Sequence, residues 1–515
     1  MSQQLQAYAI TAPGFYGLNT QDSSLDLASG FALTATNCII DQYGRIGARK
    51  GWEAQHTTNT DLTTSAYIKA IGEVITTDGT SYTICAGNNK LFKLDGSTLT
   101  TLTYGGGGVA PSIAGDNWSM ASLAGKLYMF QTGQDPLVFD PSVSTTQYKR
   151  ISEMAGYAGT VQKANIVISA YGRLWTASVG TDKLTVQWSD ILAGNIWSGG
   201  TSGTLNTETV WPKGGDTVTG LGAHNGSLFI FGKNNILVYT GATSPSTMTL
   251  SDTVSGIGCI ARDSIAYTGT DILFLSQTGV RSLMRTIQEK SAPFRELSKN
   301  VRNDLMNYVA SETDITIKSV YSGRDSIYLL SLINSNTVYC FDTKGTLEDG
   351  SCRVTTWDSL VPRAGLAKQD GTLLLGCTGY VGKYTGYLDN TAKYHMTYYT
   401  NHTDFGKPMY AIIPKRMIVY AVGGSNQGII MKWGYDFSGA FASQVISIPE
   451  QGVAYYGESE YNYGFEYSSG QTINTLVAYP TGSGKVIQLG FETEINGFQL
   501  SIQKLEVHAK EGKLY

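Results

Sequence analysis

Charge is scarce in this chain. Asp, Glu, Lys and Arg make up 15% of its residues, well under the usual quarter. A solvated helical protein needs more charge than this, so strands and turns are favoured. The formal net charge is −4, which argues against a basic protein that grips nucleic acid by neutralising phosphates. Nucleic acid passing by without being held remains compatible with that balance. Cysteine is sparse too. Cys38, Cys85, Cys259, Cys340, Cys352 and Cys377 are widely spaced and form no CxxC. This excludes a readable zinc framework or disulfide scaffold and leaves buried thiols in a reducing compartment. The five histidines, His56, His224, His395, His402 and His508, form no cluster in sequence, so local spacing gives no metal site. No apolar run reaches the ~18 residues that a membrane helix needs. "MSQQLQAYAITAPGFYG" lacks the basic start and apolar stretch of a secretory signal.

Catalytic signatures are missing as well. There is no HExxH, P-loop, GxSxG or EF-hand loop. "SGIGCIARDS" has two close glycines, but the third position of a dinucleotide fingerprint is wrong and no helix pattern follows. The S-x-D-x-G-x-x-W box of sialidases is absent. Asp216, Asp263 and Asp325 stand near turns and read as turn-stabilising carboxylates rather than general acids. No cofactor is expected.

What the chain has in quantity is glycine, 60 of 515 residues, and tyrosine, 32. With Ser, Thr, Asn and Gln they imply a neutral polar surface, which is cheaper to bury against other subunits than a charged one. The glycines are ordered. Seven of them, Gly79, Gly125, Gly172, Gly226, Gly269, Gly323 and Gly371, each lead into short apolar strands such as "AGKLYMF", "NGSLFIF" and "DGTLLLG". Successive spacings are 46, 47, 54, 43, 54 and 48. A period of roughly 40–50 residues with paired strands is that of β-propeller blades. The expected fold is therefore all-β: a propeller of six to eight blades, with seven repeats counted, over 61–386; a large β-sandwich built from the same hairpins is the alternative. One helix is expected in "ELSKNVRNDLMNYVA", where Leu297, Val301, Leu305 and Val309 recur every four residues and Ser298 is placed to cap. It should pack outside the propeller between the fifth and sixth repeats. Beyond residue 387 the repeat is lost, and residues 387–515 read as a separate antiparallel β-sandwich or platform. If that unit docks on a partner ring, its deletion should leave soluble propellers that no longer assemble. Residues 1–60 are expected to join the platform or close the propeller.

The only Lys and Arg residues in the first sixty, Arg45, Arg49 and Lys50, lie in "NCIIDQYGRIGARKGW". It reads as a hairpin with strand Cys38 to Ile40, a turn at 41–44 and a return strand from Arg45 to Arg49. Period two puts Arg45, Gly47 and Arg49 on one face, with the guanidiniums about 13 Å apart. That suits separate carboxylates on a neighbour better than one phosphate. Solvated strand charges are the alternative.

This segment resembles the N-terminal hairpin of the tail nozzle proteins of short-tailed bacteriophages, also called tail tubular protein B or tail hub. The shared pattern is Asn37, six residues, then Gly44, Ile46, Arg49 and Gly51. "VQWSDILAGNIWSGG", "WPKGGDTVTGLGAHNGSLFIFGKNNILVYTG", "SGIGCIARDSIAYTGTDILFLSQTGVRSL" (through Gly256, Cys259, Ser264 and Gly279) and the C-terminal "GKVIQLGFETEINGFQLSIQKLEVHAKEGKLY" are similar to later family segments in the same order. The resemblance implies a non-enzymatic structural virion protein. It would be assembled in the host cytoplasm and reside in the virion tail. It would form a homo-oligomeric ring, hexameric in this family, below the portal-adaptor rings. Such a ring extends the DNA ejection channel, carries tail fibre or tailspike and distal tail proteins, and lets genomic DNA pass without sequence-specific binding. Asn37, Gly44, Arg45, Arg49, Lys50 and Gly51 are the candidate subunit-contact or structural residues. A carbohydrate- or receptor-binding propeller is the alternative, and a propeller glycosidase, with paired carboxylates or an Arg cluster on the axis, is a third reading.

Overall fold

The structure is a computed structural model and describes residues 5–115, 117–179, 182–288, 296–449 and 473–513. The expected platform unit also spans 450–472, which lie outside the described residues. Strand accounts for 51% of the chain and helix for 6%, against a usual 20–25% strand, so the protein is all-β.

The central part is a seven-bladed propeller. Its innermost strands are Ile68–Ile75, Trp118–Leu123, Ala164–Ala170, Gly220–His224, Ala266–Tyr267, Ile317–Ser322 and Gly365–Ala367. Each starts a sheet that meanders outward, of three to five strands in six of the blades and continuing into a larger sheet in the sixth. The lead glycines sit in the first turn of each blade. Six of them hold positive φ, from +71° at Gly172 to +90° at Gly269, as a tight hairpin turn requires. Gly323 does not; in its turn the left-handed residue is Ser326, at φ +53°.

The apolar runs after these glycines are continuous rather than alternating because both faces of each blade are buried. In the second blade, Leu127 and Met129 face the first blade, while Tyr128 and Phe130 face the third. In the fourth, Leu228 and Ile230 face the third, while Phe229 and Phe231 face the fifth. Ile327 and Leu329 of the sixth blade pack on the seventh, with Tyr328 and Leu330 turned to the fifth. The seventh blade packs back on the first through Leu374, Val381, Ile68 and Ile71. The ring is thus closed by apolar contact at every blade boundary. The last blade takes its outer strand from the other end of the chain: Trp52–Ala54 pairs antiparallel with Val381–Tyr384.

Residues beyond the propeller form a β-sandwich. One sheet carries Tyr394–Thr403, Ile487–Ile495, Gly428–Tyr435 and Phe441–Ser447; the other carries Ile473–Ala478, Tyr410–Gly423 and Leu500–Lys513. Met431, Leu489 and Phe491 of the first sheet share one core with Met417, Val419 and Leu505 of the second. The sandwich is not detached from the propeller. Gly17–Leu18 and Phe31–Thr36 run parallel to the last strand of the sixth blade, Cys352–Trp357, and Phe31–Thr36 also pairs with Tyr394–Thr403. One ten-stranded sheet therefore runs from the sixth blade into the sandwich. Gln6–Thr11 and the Cys38–Ile40/Ile46–Ala48 hairpin extend the second sheet.

The helix Arg302–Val309 follows one 3-10 turn, Lys299–Val301. Leu297, Val301, Leu305 and Val309 are all buried, in the core shared by the fifth and sixth blades and the sandwich. Ser298 does not cap this segment. Its Oγ instead accepts the N–H of Val280 at 2.9 Å, on the strand Gly279–Ser282 of the fifth blade. A second short helix, Leu283–Gln288, follows that strand and has no counterpart in the sequence reading.

Candidate functional site

The opening hairpin forms with its strands at Cys38–Ile40 and Ile46–Ala48. Asp41 Oδ1 accepts the N–H groups of Tyr43 at 2.8 Å and Arg45 at 3.0 Å, which fixes the turn. Gly44 holds φ +72° there against Pro13. The two arginines part company, because the regular strand ends at Ala48 and the chain turns inward.

Arg49 is fully buried. Nη1 donates to Asp389 Oδ1 at 2.9 Å and Nη2 to Asp389 Oδ2 at 2.6 Å. Nη2 also reaches Ser359 Oγ at 2.6 Å, and Nη1 the carbonyl of Lys50 at 2.8 Å. The guanidinium lies 4.0 Å from the Tyr394 ring centroid. Its partners come from the propeller exit and the sandwich of the same chain, so Arg49 has neither a neighbouring subunit's carboxylate nor solvent to contact. Asn37, at φ +55°, donates through Nδ2 to Asp358 Oδ1 and to the His395 carbonyl, both at 2.7 Å. A Cβ on Gly51 would stand 1.8 Å from the Leu388 carbonyl oxygen. These three residues are internal and structural.

Arg45 and Lys50 stay near the surface. Arg45 Nε donates to Gln503 Oε1 at 2.6 Å, and its guanidinium stacks 4.5 Å over the exposed Tyr43 ring. Lys50 Nζ pairs with Asp325 Oδ1 at 2.6 Å. Both line a groove of about 550 Å³ between hairpin, sixth blade and sandwich, with Arg324 and Lys344 also on its wall.

A second cluster lies on the propeller axis, where a cavity of about 290 Å³ is bounded by residues from all seven blades or the turns that enter them. Among the described residues, four cations, Lys69, Arg262, Lys318 and Arg363, and one carboxylate, Asp263, line it. Arg262 Nε and Nη2 bind Asp263 at 2.6 and 2.8 Å. Lys318 Nζ binds the same carboxylate. Arg262 also crosses the axis to the Trp118 carbonyl at 2.8 Å and to the Asn165 carbonyl, on the second and third blades. Burial alone would raise the Asp263 carboxyl, but the charges of Arg262 and Lys318 and their hydrogen bonds outweigh it and hold it at about 2. Arg363 lies 3.5 Å over the Tyr67 ring. Lys69 is pulled down by burial and by the like charge of Arg363.

Asp263 is thus a member of an axial ion cluster rather than the turn-stabilising residue expected from sequence. Asp216 does stabilise a turn, accepting the N–H groups of Lys233 and Asn234, each at 2.8 Å. Asp325 bonds Ser322 within its own turn and also pairs with Lys50. The axial cations carry no distinctive local signal: all four fall shortly before a lead glycine, in or next to an innermost strand, but Glu73, Asp263 and Lys368 stand in the same stretches.

No family model matches the chain, and no curated protein matches it. Among solved structures, PorZ of the type-IX secretion system of Porphyromonas gingivalis aligns at 12% identity and TM-score 0.35, over 64% of this chain and 37% of that one. Kuenenia stuttgartiensis hydrazine synthase aligns at 11% and 0.37, over 63% and 96%. The Neurospora crassa Pan2 WD40 domain aligns at 9% and 0.29, over 75% and 97%. Likeness at this level carries no argument about function.

Proposed function

We propose that this chain is a structural ring subunit of a nozzle type: it assembles with copies of itself below a portal-adaptor ring in a short phage tail, extends the DNA channel and carries distal tail parts. The observation that carries the reading is a pair of sheet edges on the sandwich that no described strand covers. Phe441–Ser447 ends the ten-stranded sheet and Ile473–Ala478 ends the six-stranded one. Neither strand contains a charged residue or a proline. Val445 and Ile473 are 65% and 59% exposed, and among the described residues no strand pairs on either outer edge. Edges that must stay alone are blunted with Lys, Pro or bulges. Edges left neutral and apolar suit pairing with a neighbour in a heterologous ring. Arg45 adds a cation with no carboxylate partner among the described residues. The order of the family-like segments supports the same reading.

In this reading DNA runs through the ring between subunits and not along the propeller axis, which Arg262 spans and whose cavity is far narrower than a duplex. The two-carboxylate chemistry of a glycosidase is not favoured at the axis, where Asp263 is the single carboxylate among the described residues and is engaged by two cations. Native mass with negative-stain imaging, with and without adaptor rings, tests the proposal. A ring is expected from the wild type, and Val445→Lys with Ile473→Lys should leave folded monomers. A wild type that stays monomeric with adaptor present, or a double variant that still forms rings, would overturn it.

A further inference from the structure

The groove between the hairpin, the sixth blade and the sandwich gathers a kind of charge that the chain uses sparingly. Lys and Arg number 37 in 515 residues. Four of them, Arg45, Lys50, Arg324 and Lys344, stand on this one wall, against Asp41 and Asp325 among the described residues. Lys50 is committed to Asp325, and Lys344 to Asp342 and the Ile40 carbonyl. The Asp41 carboxylate is occupied by the N–H groups of the hairpin turn. Arg45 and Arg324 have no carboxylate partner among the described residues. Arg45 holds only the neutral Gln503 and the Tyr43 ring, and Arg324 is exposed in the turn between Ile317–Ser322 and Ile327–Leu332. Ile39, Tyr384 and Val422 give the wall an apolar part. The Tyr387 hydroxyl on the same wall is pushed up to about 12, by burial first and then by the charges of Asp41 and Asp325. It therefore stays neutral and able to donate a hydrogen bond. At about 550 Å³ the groove is of a size that buries a ligand of many atoms. A guanidinium takes a carboxylate through two parallel hydrogen bonds, and here one guanidinium comes from the hairpin and the other from a blade turn. Recognition of acidic motifs by arginine clusters is a recurrent mode of peptide binding, and Arg is enriched where protein partners meet.

We infer that this groove is a docking site for an acidic, extended segment of a partner protein, with carboxylates of the segment on Arg45 and Arg324 and its side-chain stems against the apolar wall. The surplus of cations over carboxylates on the wall steers such a segment in and disfavours a basic one. The groove lies within one chain, so the inference goes beyond ring assembly and does not depend on it.

The test uses the full-length chain and two fluorescently labelled peptides, deca-glutamate and deca-glutamine, with anisotropy read at fixed ionic strength. Saturable binding of deca-glutamate is expected, at least tenfold weaker in Arg324→Glu and in Arg45→Glu. Lys183 is exposed on the third blade, away from the groove, and Lys183→Glu should bind like the wild type. Having two independent variants guards against one that fails to fold, which circular dichroism identifies. Equal binding of deca-glutamine, full binding by a folded Arg324→Glu or Arg45→Glu variant, or an equal loss in Lys183→Glu would overturn the site. Release of the peptide by phosphate, where chloride at the same ionic strength leaves it bound, would overturn it in favour of a compact anion. Native mass is read on the same samples. A chain that stays monomeric and binds the peptide upholds the groove while the ring reading falls, and rings that ignore the peptide do the reverse.

Discussion

At the scale of single residues, two arginines four positions apart have opposite fates. Arg49→Met would leave Asp389, which is 11% exposed, without its bidentate partner. Breaking a buried pair from one side costs about 3–5 kcal/mol, so the variant should lose several kcal/mol in denaturant unfolding. Arg45→Met loses one hydrogen bond and an exposed stack, and its effect on folding should stay within about 1.5 kcal/mol. Any effect of Arg45 on ring assembly would thus be separable from folding, whereas Arg49 acts on the fold itself. Asp263 gives a pH signature. Its folded pKa of about 2 lies below the ordinary carboxylate value, so ionisation favours the folded state. That contribution is complete above the unfolded pKa and is lost as pH falls toward 2. At roughly 1.4 kcal/mol per pKa unit it is on the order of 2 kcal/mol. Asp263→Asn should be less stable than wild type at neutral pH and should lose less on acidification from pH 5 to 2; parallel acid profiles would rule the cluster out as a stabilising unit.

At the scale of elements, the blade turns show what sequence spacing can carry. Gly226 holds φ +75° with open space where a Cβ would go, whereas Gly323 has no positive φ and its Cβ would meet Tyr321 at 3.7 Å. Gly226→Ala should therefore cost about 1 kcal/mol through backbone strain alone, while Gly323→Ala should be neutral or slightly stabilising. Equal effects in thermal unfolding would contradict the turn geometry. Both glycines look alike in sequence because the repeat records where a turn falls and not which residue in it turns left-handed. The helix was legible for a similar reason: its four-residue apolar spacing is a local property. The role of Ser298 was not, because the Val280 N–H that its Oγ accepts comes from a strand earlier in the chain. The innermost strands were also missed, since they lie before the lead glycines and are less continuously apolar than the strands that follow.

At the scale of the whole molecule, propeller and sandwich form a joined body. The sixth blade and the sandwich share a sheet, and the N-terminal segment contributes to both. A chain ending at residue 386 would uncover the core face of the sixth blade and strand the N-terminal hairpin. It should be insoluble, contrary to the sequence expectation of a soluble isolated propeller. The full chain should unfold in one calorimetric transition; two well-separated transitions, or a soluble truncated propeller, would contradict this coupling.

The sequence by itself determined the all-β class, the seven-fold repeat, the change of texture near residue 387 and the opening hairpin. Each is written in short-range order: a turn glycine, an apolar run, a period. Only the tertiary structure decided that Trp52–Ala54 closes the last blade, that Arg49 is buried against Asp389 340 positions away, and that four scattered cations meet on one axis. Those outcomes depend on pairings between distant segments, whose geometry is set by how the ring closes and not by any local pattern.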